Sequence, residues 1–325
     1  MITYNQFKSH SGFTIVELLI VIVVVGILAA ITVVAYNGIQ DRARQSAVMS
    51  DVRSSATQLE LIKTDTGSYP ANVDDFKKSS GTTYEYATYG SNYCLTAENT
   101  GGSYYATNIR SGQTQPGPCP VGHWSLDGNA NDSSVYGNNG TVTGATLTTD
   151  RKGNANSAYD FNGSAVISVA DSNVLDFNAS QSFSISLWYK FPAGTINPYW
   201  SLGKGNGYSG TGYGIAHWTE GNPVAPAFYI GGGGVNRAVD ASGIQRSSWG
   251  HVVYVVNRSQ QTMQSYTNST ALPAVSISGV GTLENSDPLL IGGMTANRYR
   301  GAIDEIRIYD KVLSNDEVKQ LYEAR

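Results

Sequence analysis

An uncharged apolar run near the N-terminus, Leu18–Ala35, constrains this chain more than any other feature. Its 18 positions contain one hydroxyl, that of Thr32, and no charge. As a helix the run would span about 27 Å, close to the ~30 Å thickness of the hydrocarbon core of a bilayer. A secretory signal peptide fits less well, because its apolar core is about 7–15 residues long and a small-residue cleavage site follows it. We therefore expect a helix that spans a membrane.

The helix is expected to continue beyond the apolar run. Apolar residues recur there at spacings of about three or four, which places them on one stripe of a helix. They are Ile39, Ala43, Val48, Val52, Leu59 and Ile62. Gly67 followed by Tyr69-Pro70 is a stop signal. The pattern predicts one helix over 13–66 that is fully apolar first and amphipathic afterwards.

The start of this helix resembles the class III signal of type IV pilins and pseudopilins. The residues that carry the resemblance are Gly12-Phe13-Thr14-Ile15-Val16-Glu17-Leu18-Leu19-Ile20, then Gly26, Ile27, Leu28, Ala29, Ala30 and Tyr36. The resemblance implies that prepilin peptidase removes the leader 1–12 by cutting after Gly12, and that it methylates the new N-terminus at Phe13. It also implies that Glu17 pairs with the free amine of a neighbouring subunit. Taken alone, Glu17 could instead be a helix-start residue that reaches the headgroups.

The partners and location follow from the same resemblance. The expected partners are other pilin subunits along the N-terminal helix, prepilin peptidase and the membrane. The protein would be a single-pass protein of the cell membrane before assembly and would lie at the cell surface, in a pilus, afterwards. A net charge of −4 disfavours nucleic acid as a partner.

A small pilin-like head is expected over 67–117. Thr82–Tyr89 alternates weakly in polarity, and Tyr93–Ala97 and Ser103–Ile109 are two further short strand candidates separated by a turn signal. An antiparallel sheet of these strands would pack on the amphipathic half of the helix. Cys94 and Cys119 could close one disulfide, and two free thiols are the alternative. Three prolines and two glycines in Ser111–Pro120 indicate a linker or domain boundary.

From 118 to 325 the pattern is all-β. The strand candidates are Ala158–Phe161, Ala165–Val169, Phe183–Tyr189, Ile215–Trp218, Ala227–Ile230, Trp249–Val256, Met263–Tyr266, Leu289–Ile291 and Ala302–Tyr309. Turn signals separate them, Gly203–Gly214 among others, so a two-sheet jelly roll is expected. Ser314-x-x-Glu317 is a capping box that predicts a short closing helix. The fold class is thus α+β, a long helix with a small sheet followed by a jelly roll.

The jelly-roll part resembles laminin G-like, concanavalin A-like domains of bacterial surface proteins. The resemblance rests on Trp124-Ser-Leu-Asp127, Gly137-Asn-Asn-Gly-Thr141, Ser157-Ala-Tyr-Asp-Phe-Asn-Gly163, Phe183-Ser-Ile-Ser-Leu-Trp188, Gly301-Ala-Ile-Asp304-Glu-Ile-Arg-Ile-Tyr309 and Leu313-Ser-Asn-Asp-Glu317. It implies that the first and last strands lie side by side.

A structural calcium site is one candidate in this domain. Asp127, Asn129, Asn131 and Asp132 offer oxygen ligands in one short loop, and adjacent terminal strands would let Asp304 join them. Such an ion would tie the two ends of the domain together. The alternative is a set of Asx turns that satisfy backbone amides.

A sugar-binding surface is the second candidate. Tyr199, Trp200, Tyr208, Tyr213 and Trp218 flank or lie within the glycine-rich stretch, and exposed rings there could stack on sugar faces. Core packing is the alternative, because Tyr and Trp are frequent inside sandwiches.

Catalysis is not expected. The run Glu-x-Asp-x-x-Glu of jelly-roll glycosidases is missing from the sequence, and the adjacent Asp304 and Glu305 should point to opposite faces of a strand. We expect a minor or tip pilin subunit that displays the jelly roll for adhesion to a surface or glycan. The alternatives are a pseudopilin of a secretion or DNA-uptake system and a membrane-tethered carbohydrate-active enzyme.

Overall fold

The computed structural model describes residues 14–193, 199–217, 225–294 and 298–324. Its first element is α1 (Ile15–Thr66), a helix of 52 residues and thus about 78 Å long. Thr14 and Glu17 form a capping box at its start. Its end is set by Gly67, which takes φ +83° and donates its N–H to the carbonyl of Lys63 at 2.8 Å. The predicted long helix is confirmed, and it ends where the glycine stop signal stands.

The two parts of α1 face different surroundings. None of Ile15–Thr32 is buried within the chain, and this segment is long and apolar enough to cross a membrane. The buried stripe begins only at Val48 and continues along the face that contacts the head. Ile39, expected on that stripe, is 66% exposed. The prediction was wrong at Ile39 because this part of α1 extends beyond the edge of the head and has no sheet packed against it.

The head is an antiparallel sheet packed on the second half of α1. Its strands run in the order β1 (Thr83–Tyr89), β2 (Asn92–Asn99), β3 (Gly102–Thr107) and β4 (Gln115–Pro116). Val52 and Leu59 of α1 bury their side chains against Tyr93 and Leu95 of β2 in one apolar cluster. A disulfide joins Cys94 of β2 to Cys119. The predicted disulfide is therefore confirmed over the alternative of two free thiols.

The rest of the chain is a sandwich of two antiparallel sheets. Its strands are β5 (Gly122–Trp124), β6 (Gly140–Thr143), β7 (Thr146–Thr148), β8 (Ala158–Asn162), β9 (Val166–Val169), β10 (Phe183–Lys190), β11 (Tyr199–Gly205), β12 (Gly212–His217), β13 (Pro226–Gly232), β14 (Val235–Asp240), β15 (Trp249–Asn257), β16 (Thr262–Thr267), β17 (Thr270–Ala271), β18 (Val275–Ser276), β19 (Leu289–Ile291) and β20 (Arg300–Tyr309). Within the described residues, one sheet has the order β17-β16-β15-β10-β20-β8-β7, with β18 on β16 and β5 on β20. The other has the order β14-β13-β12-β11-β19-β9-β6.

The core lies between the sheets. Alternate residues of β10 point inward, Phe183, Ile185, Leu187 and Tyr189 among them, and all are fully buried. The predicted jelly roll is therefore correct. The stretch Gly203–Gly214 was expected to be a turn region. Its middle, 206–211, is the turn between β11 and β12, whereas its two ends, 203–205 and 212–214, belong to those strands. Glycine is required at Gly212, because this residue takes φ +135° and a Cβ there would overlap the backbone oxygen of Lys204.

The head and the sandwich are packed together. The closing helix α2 (Asn315–Glu323) starts at the predicted capping box. It lies against β3, where the hydroxyl of Ser103 donates to Glu317 at 2.8 Å and the amide of Ser103 donates to Gln320 at 3.1 Å. The segment 111–120, expected as a linker or domain boundary, is attached to the head at two points, because β4 pairs with β3 and Cys119 is bonded to Cys94 of β2.

Candidate functional site

The acidic residue at the start of α1 is engaged within its own helix. One carboxylate oxygen of Glu17, Oε2, accepts the amide and the hydroxyl of Thr14, both at 2.8 Å. The amide of Glu17 donates to the hydroxyl of Thr14 at 3.2 Å. These bonds leave Oε1 as the oxygen available to a donor from outside the chain. Gly12 and Phe13, the expected processing residues, lie outside the described residues.

The candidate calcium ligands take separate roles. The carboxylate of Asp132 is buried and accepts the amides of His123, Ser134 and Asn138 and the hydroxyl of Ser134, at 2.7–2.9 Å. Each of its oxygens thus has two donors, as the Asx-turn alternative requires.

The other candidate ligands are also engaged. The side chain of Asn129 accepts the amide of Asn131 at 2.8 Å, while Asp304 pairs with Arg151 at 3.0 Å. Burial raises the pKa of Asp127, and the charge of Glu305 adds to the effect. In the described part of the chain, no group of three or more His, Cys, Asp or Glu side chains could hold a metal ion. The candidate ligands are thus engaged in separate hydrogen bonds in the described structure, and calcium binding stays a prediction.

The two adjacent carboxylates of β20 share one face of the sheet, which corrects the expectation of opposite faces. The register between β10 and β20 shifts at this point, and Glu305 takes φ +51°. Such a bulge adds a residue to one strand and breaks the alternation of side chains. Ile303 and Ile306 both lie in the core, so Asp304 and Glu305 between them point to the outer face of the sheet.

A buried polar network connects the head to the sandwich at this bulge. The hydroxyl of Tyr105, on β3, lies 2.9 Å from Nδ1 of His123, on β5. Nε2 of His123 lies 3.0 Å from the carboxylate of Glu305, which also accepts Nη2 of Arg307 at 3.0 Å. Arg307 further donates Nη1 to the carbonyl of Pro116 at 3.4 Å. The network therefore spans both parts of the chain.

Burial and neighbouring charges set the protonation states of this network. Burial, reinforced by Arg307, lowers the pKa of His123 to about 4, so its imidazole is neutral near pH 7. Burial alone would raise the pKa of Glu305, but Arg307 and His123 outweigh it and hold that pKa well below its usual range. Burial raises the pKa of Asp304 to about 8, with a contribution from Glu305 and opposition from Arg151.

This network was missed by sequence reasoning. His123 and Glu305 are 182 residues apart, and neither belongs to a motif with a fixed spacing. The carboxylates are enclosed under the head and held by arginines, so they are not presented to a substrate in the described structure.

The candidate sugar-binding rings fall into two groups. Tyr213 is fully buried, and its hydroxyl donates to the carbonyl of Leu175 at 2.9 Å. Its inclusion in a surface site was wrong, because Tyr213 points into the sandwich. Tyr199 is partly buried and packs on the same core. Trp218 lies outside the described residues.

Trp200 and Tyr208 lie on the outer face of the second sheet with Tyr229, which the sequence did not single out. The ring centroids are 5.8 Å apart for Trp200 and Tyr229 and 5.4 Å apart for Tyr208 and Tyr229. Trp200 lies over Gly214, where a Cβ would come within 2.9 Å of the indole. We call these three residues the aromatic patch. The alternation Phe228-Tyr229-Ile230, with Phe228 and Ile230 in the core, is the signal that could have placed Tyr229 outside.

Comparison with known proteins divides the chain in the same way. Residues 7–33 match the prokaryotic N-terminal methylation motif, and residues 161–319 match the concanavalin A-like lectin/glucanases superfamily. The type II secretion system core protein G of Pseudomonas aeruginosa is 35% identical over 66 residues, which are 20% of this chain and 46% of that protein. The chain thus covers less than half of that relative's length. The type IV wide pilus major component PilA4 of Thermus thermophilus is 28% identical over 130 residues, which are 35% of this chain and 99% of that protein.

Among solved structures, the ligand-binding domain of botulinum neurotoxin serotype D, in complex with N-acetylneuraminic acid, superposes with a TM-score of 0.50. The sequence identity is 15%, and the match covers 64% of this chain and 51% of the other. At this identity the similarity concerns the fold alone.

Proposed function

This chain joins a type IV pilin-like N-terminal part to a concanavalin A-like domain, and from that premise we propose that it is a minor or tip subunit of a pilus. In this proposal the N-terminal helix anchors the subunit in the membrane and then packs in the filament. The sandwich is displayed outside the cell and binds a glycan or another surface.

The unburied apolar segment of α1 is the observation that carries the proposal. Ile15–Thr32 has a mean hydropathy of 3.0 and no burial within the chain, so lipid or neighbouring helices must cover it. Glu17 lies at the head of this segment. Its Oε1 is available to the amine that cleavage after Gly12 would create at Phe13, and a carboxylate in apolar surroundings needs such a partner.

The bulk of the sandwich supports a minor or tip position. A filament repeats its subunits closely, and each copy here would carry roughly 200 additional residues fixed against its head. A subunit used once at the tip, or rarely along the filament, avoids collisions between neighbouring sandwiches.

The aromatic patch supports glycan binding. Tyr208 is 49% exposed, and aromatic faces of this kind combine apolar area with polar edges. The patch lies on the outer sheet face, away from the head. We further propose that the protein is not an enzyme, since Asp304 and Glu305 are enclosed and paired.

The filament proposal is tested on the full chain expressed with a pilus assembly system. Mature protein should begin at a methylated Phe13, as read by N-terminal sequencing and mass spectrometry. Glu17→Ala should abolish incorporation into filaments, whereas Asp41→Ala, an exposed acid on the same helix, should incorporate as the parent does. Retention of Met1 in the exported protein, or normal assembly of Glu17→Ala, would contradict the proposal.

The adhesion proposal is tested separately by glycan-array binding of the full chain in detergent. Trp200→Ala should reduce the signal for neutral glycans about tenfold or more, since truncating an aromatic anchor of a binding surface costs about 2 kcal/mol or more. Leu147→Ala, an exposed apolar residue of the other sheet, is the control. Equal binding by both variants and the parent would refute a role for the patch.

A pseudopilin of a secretion or DNA-uptake system is the second candidate, favoured by the similarity to type II secretion core protein G. Electron microscopy with a label on the sandwich separates the two. Label along or at the end of extracellular filaments supports the pilus subunit, and label confined to the envelope supports the pseudopilin.

A further inference from the structure

A polar cleft of about 510 Å³ lies at one end of the first sheet, apart from the aromatic patch. It is formed by β8, β10 and the start of β20, on the outward face of the sheet. In the register of these strands, Asp160 of β8 lies opposite Ala302 of β20, and Ala302 lies opposite Lys190 of β10. The small side chain of Ala302 makes the floor, and the two charged side chains form the walls. We call this the charged cleft.

The charges across the cleft do not neutralise each other directly. Asp160 and Lys190 are two strands apart, which separates their backbones by roughly 10 Å. Among the ion pairs and hydrogen bonds of the described residues, none engages either side chain. Burial raises the pKa of Asp160, and the charge of Lys190 opposes that rise. The cleft therefore offers one acceptor group and one donor group facing each other.

Further polar groups complete the lining. Arg300 at the start of β20 lies beside Asn162 of β8, and its guanidinium packs over Gly163. Thr148 and Ser247 line the same cleft. Arginine binds a carboxylate through two parallel hydrogen bonds, which makes Arg300 the natural anchor for an anionic group.

An aromatic side chain extends the row beyond Lys190. Trp249 of β15 lies opposite Lys190 and is half-buried. Its side chain shares the outward face, because Val252 and Tyr254 of the same strand point into the core. The indole of Trp249 thus provides an apolar surface next to the polar cleft. A saccharide can use both, because its faces are apolar and its hydroxyls are polar.

We propose that the charged cleft binds a saccharide that carries a carboxylate. The two cations, Arg300 and Lys190, exceed the one acid, so an anionic ligand is favoured. A phosphate group fits less well, because its charge of about −1.5 to −2 at pH 7 is repelled by Asp160 more strongly than the single charge of a carboxylate. In this arrangement Asp160 accepts hydrogen bonds from the hydroxyls of the saccharide, and the carboxylate of the saccharide binds Arg300. The ligand class deepens the proposed adhesive function, and the site itself is independent of the aromatic patch.

The test is binding of the full chain, in detergent, to three acidic saccharides measured by titration calorimetry. The probes are tetragalacturonate, tetramannuronate and 3′-sialyllactose, each compared with its neutral counterpart, the methyl ester or lactose. At least one acidic probe should bind with an affinity about tenfold or more above that of its neutral counterpart. The neutral probe lacks the charge-assisted hydrogen bond between its carboxylate and Arg300. Binding should weaken as salt rises.

Variants locate the site. Arg300→Gln and Lys190→Gln should each weaken acidic binding about tenfold or more, whereas Lys319→Gln, an exposed lysine of α2, should not change it. Unchanged melting temperatures show that the variants fold. The inference is overturned if no acidic probe binds at millimolar concentration, or if the cleft variants bind as the parent does. Trp200→Ala should weaken the binding of neutral glycans and leave the binding of acidic probes unchanged. A failure of the aromatic patch to bind glycans can therefore be distinguished from a failure of the charged cleft to bind acidic saccharides.

Discussion

Replacing Arg307 by Met tests the buried network that joins the head to the sandwich. Arg307 is 5% exposed and donates to Glu305 and to the carbonyl of Pro116, and its Nε lies 3.2 Å from Nε2 of His123. Methionine retains much of the volume but removes every donor. Glu305 then remains buried as a carboxylate whose nearest partner is a neutral imidazole.

The expected loss is about 3–5 kcal/mol, the cost of removing one partner of a buried ion pair. For a domain of this size, that corresponds to a fall in Tm of roughly 6–20 °C. Scanning calorimetry on the full chain in detergent at pH 7 measures it. Because the network spans both parts of the chain, the head and the sandwich should also unfold less cooperatively, with a broadened or divided transition.

Two further proteins control this prediction. Lys319→Met removes an exposed pair with Glu323 at 4.0 Å, and exposed pairs contribute about 0–1 kcal/mol. Adding Glu305→Gln to Arg307→Met removes the stranded charge and should recover a substantial part of the loss. The reasoning is refuted if Arg307→Met costs less than about 1 kcal/mol, or if the double variant is no more stable than the single one.

The remaining predictions concern stability. Replacing Cys94 and Cys119 by Ser should cost about 3.5 kcal/mol, the chain-entropy value for a loop of 25 residues, and reductant should lower the Tm of the parent but not of the variant. Asp304 has a folded-state pKa of about 8, above its unfolded value of about 3.9. The stability that protonated Asp304 contributes to the folded state is therefore fully present below about pH 4 and is lost as the pH rises through 8. Asp304→Asn should retain its Tm between pH 5 and 9 better than the parent, and parallel Tm curves would contradict this. Asp132→Ala leaves three backbone amides without an acceptor and should cost about 3 kcal/mol or more, measured by denaturant unfolding. The calcium proposal is tested on the same protein and its parent: excess Ca²⁺ should raise the Tm of the parent alone, and an unchanged Tm contradicts it.

The helices could be predicted from local signals. The apolar run, the stop at Gly67 and the capping box at Ser314 all act within a few residues of the structure they determine. The jelly roll was also predictable, because inward and outward residues alternate along strands such as β10.

The sites were less predictable because they depend on contacts between distant segments. Glycines of β11 and β12 indicate turns when considered alone, yet here they provide room for Met294 and Trp200 above the sheet. The positive φ of Glu305 has no sequence signal, since glycine is the usual residue in that conformation. Asp160 and Lys190 are brought together only by the register of three strands.

The close attachment of the sandwich has a mechanical consequence. The chain enters the sandwich at β5 and leaves it at β20, the two strands are paired, and the entry point is covalently fixed to the head through Cys119. In the proposed pilus subunit, a load applied at a bound ligand would therefore pass to the filament through paired strands and a covalent bond, without a flexible linker. In that arrangement, the distance over which the sandwich could search for a ligand would be set by the bending of the filament itself.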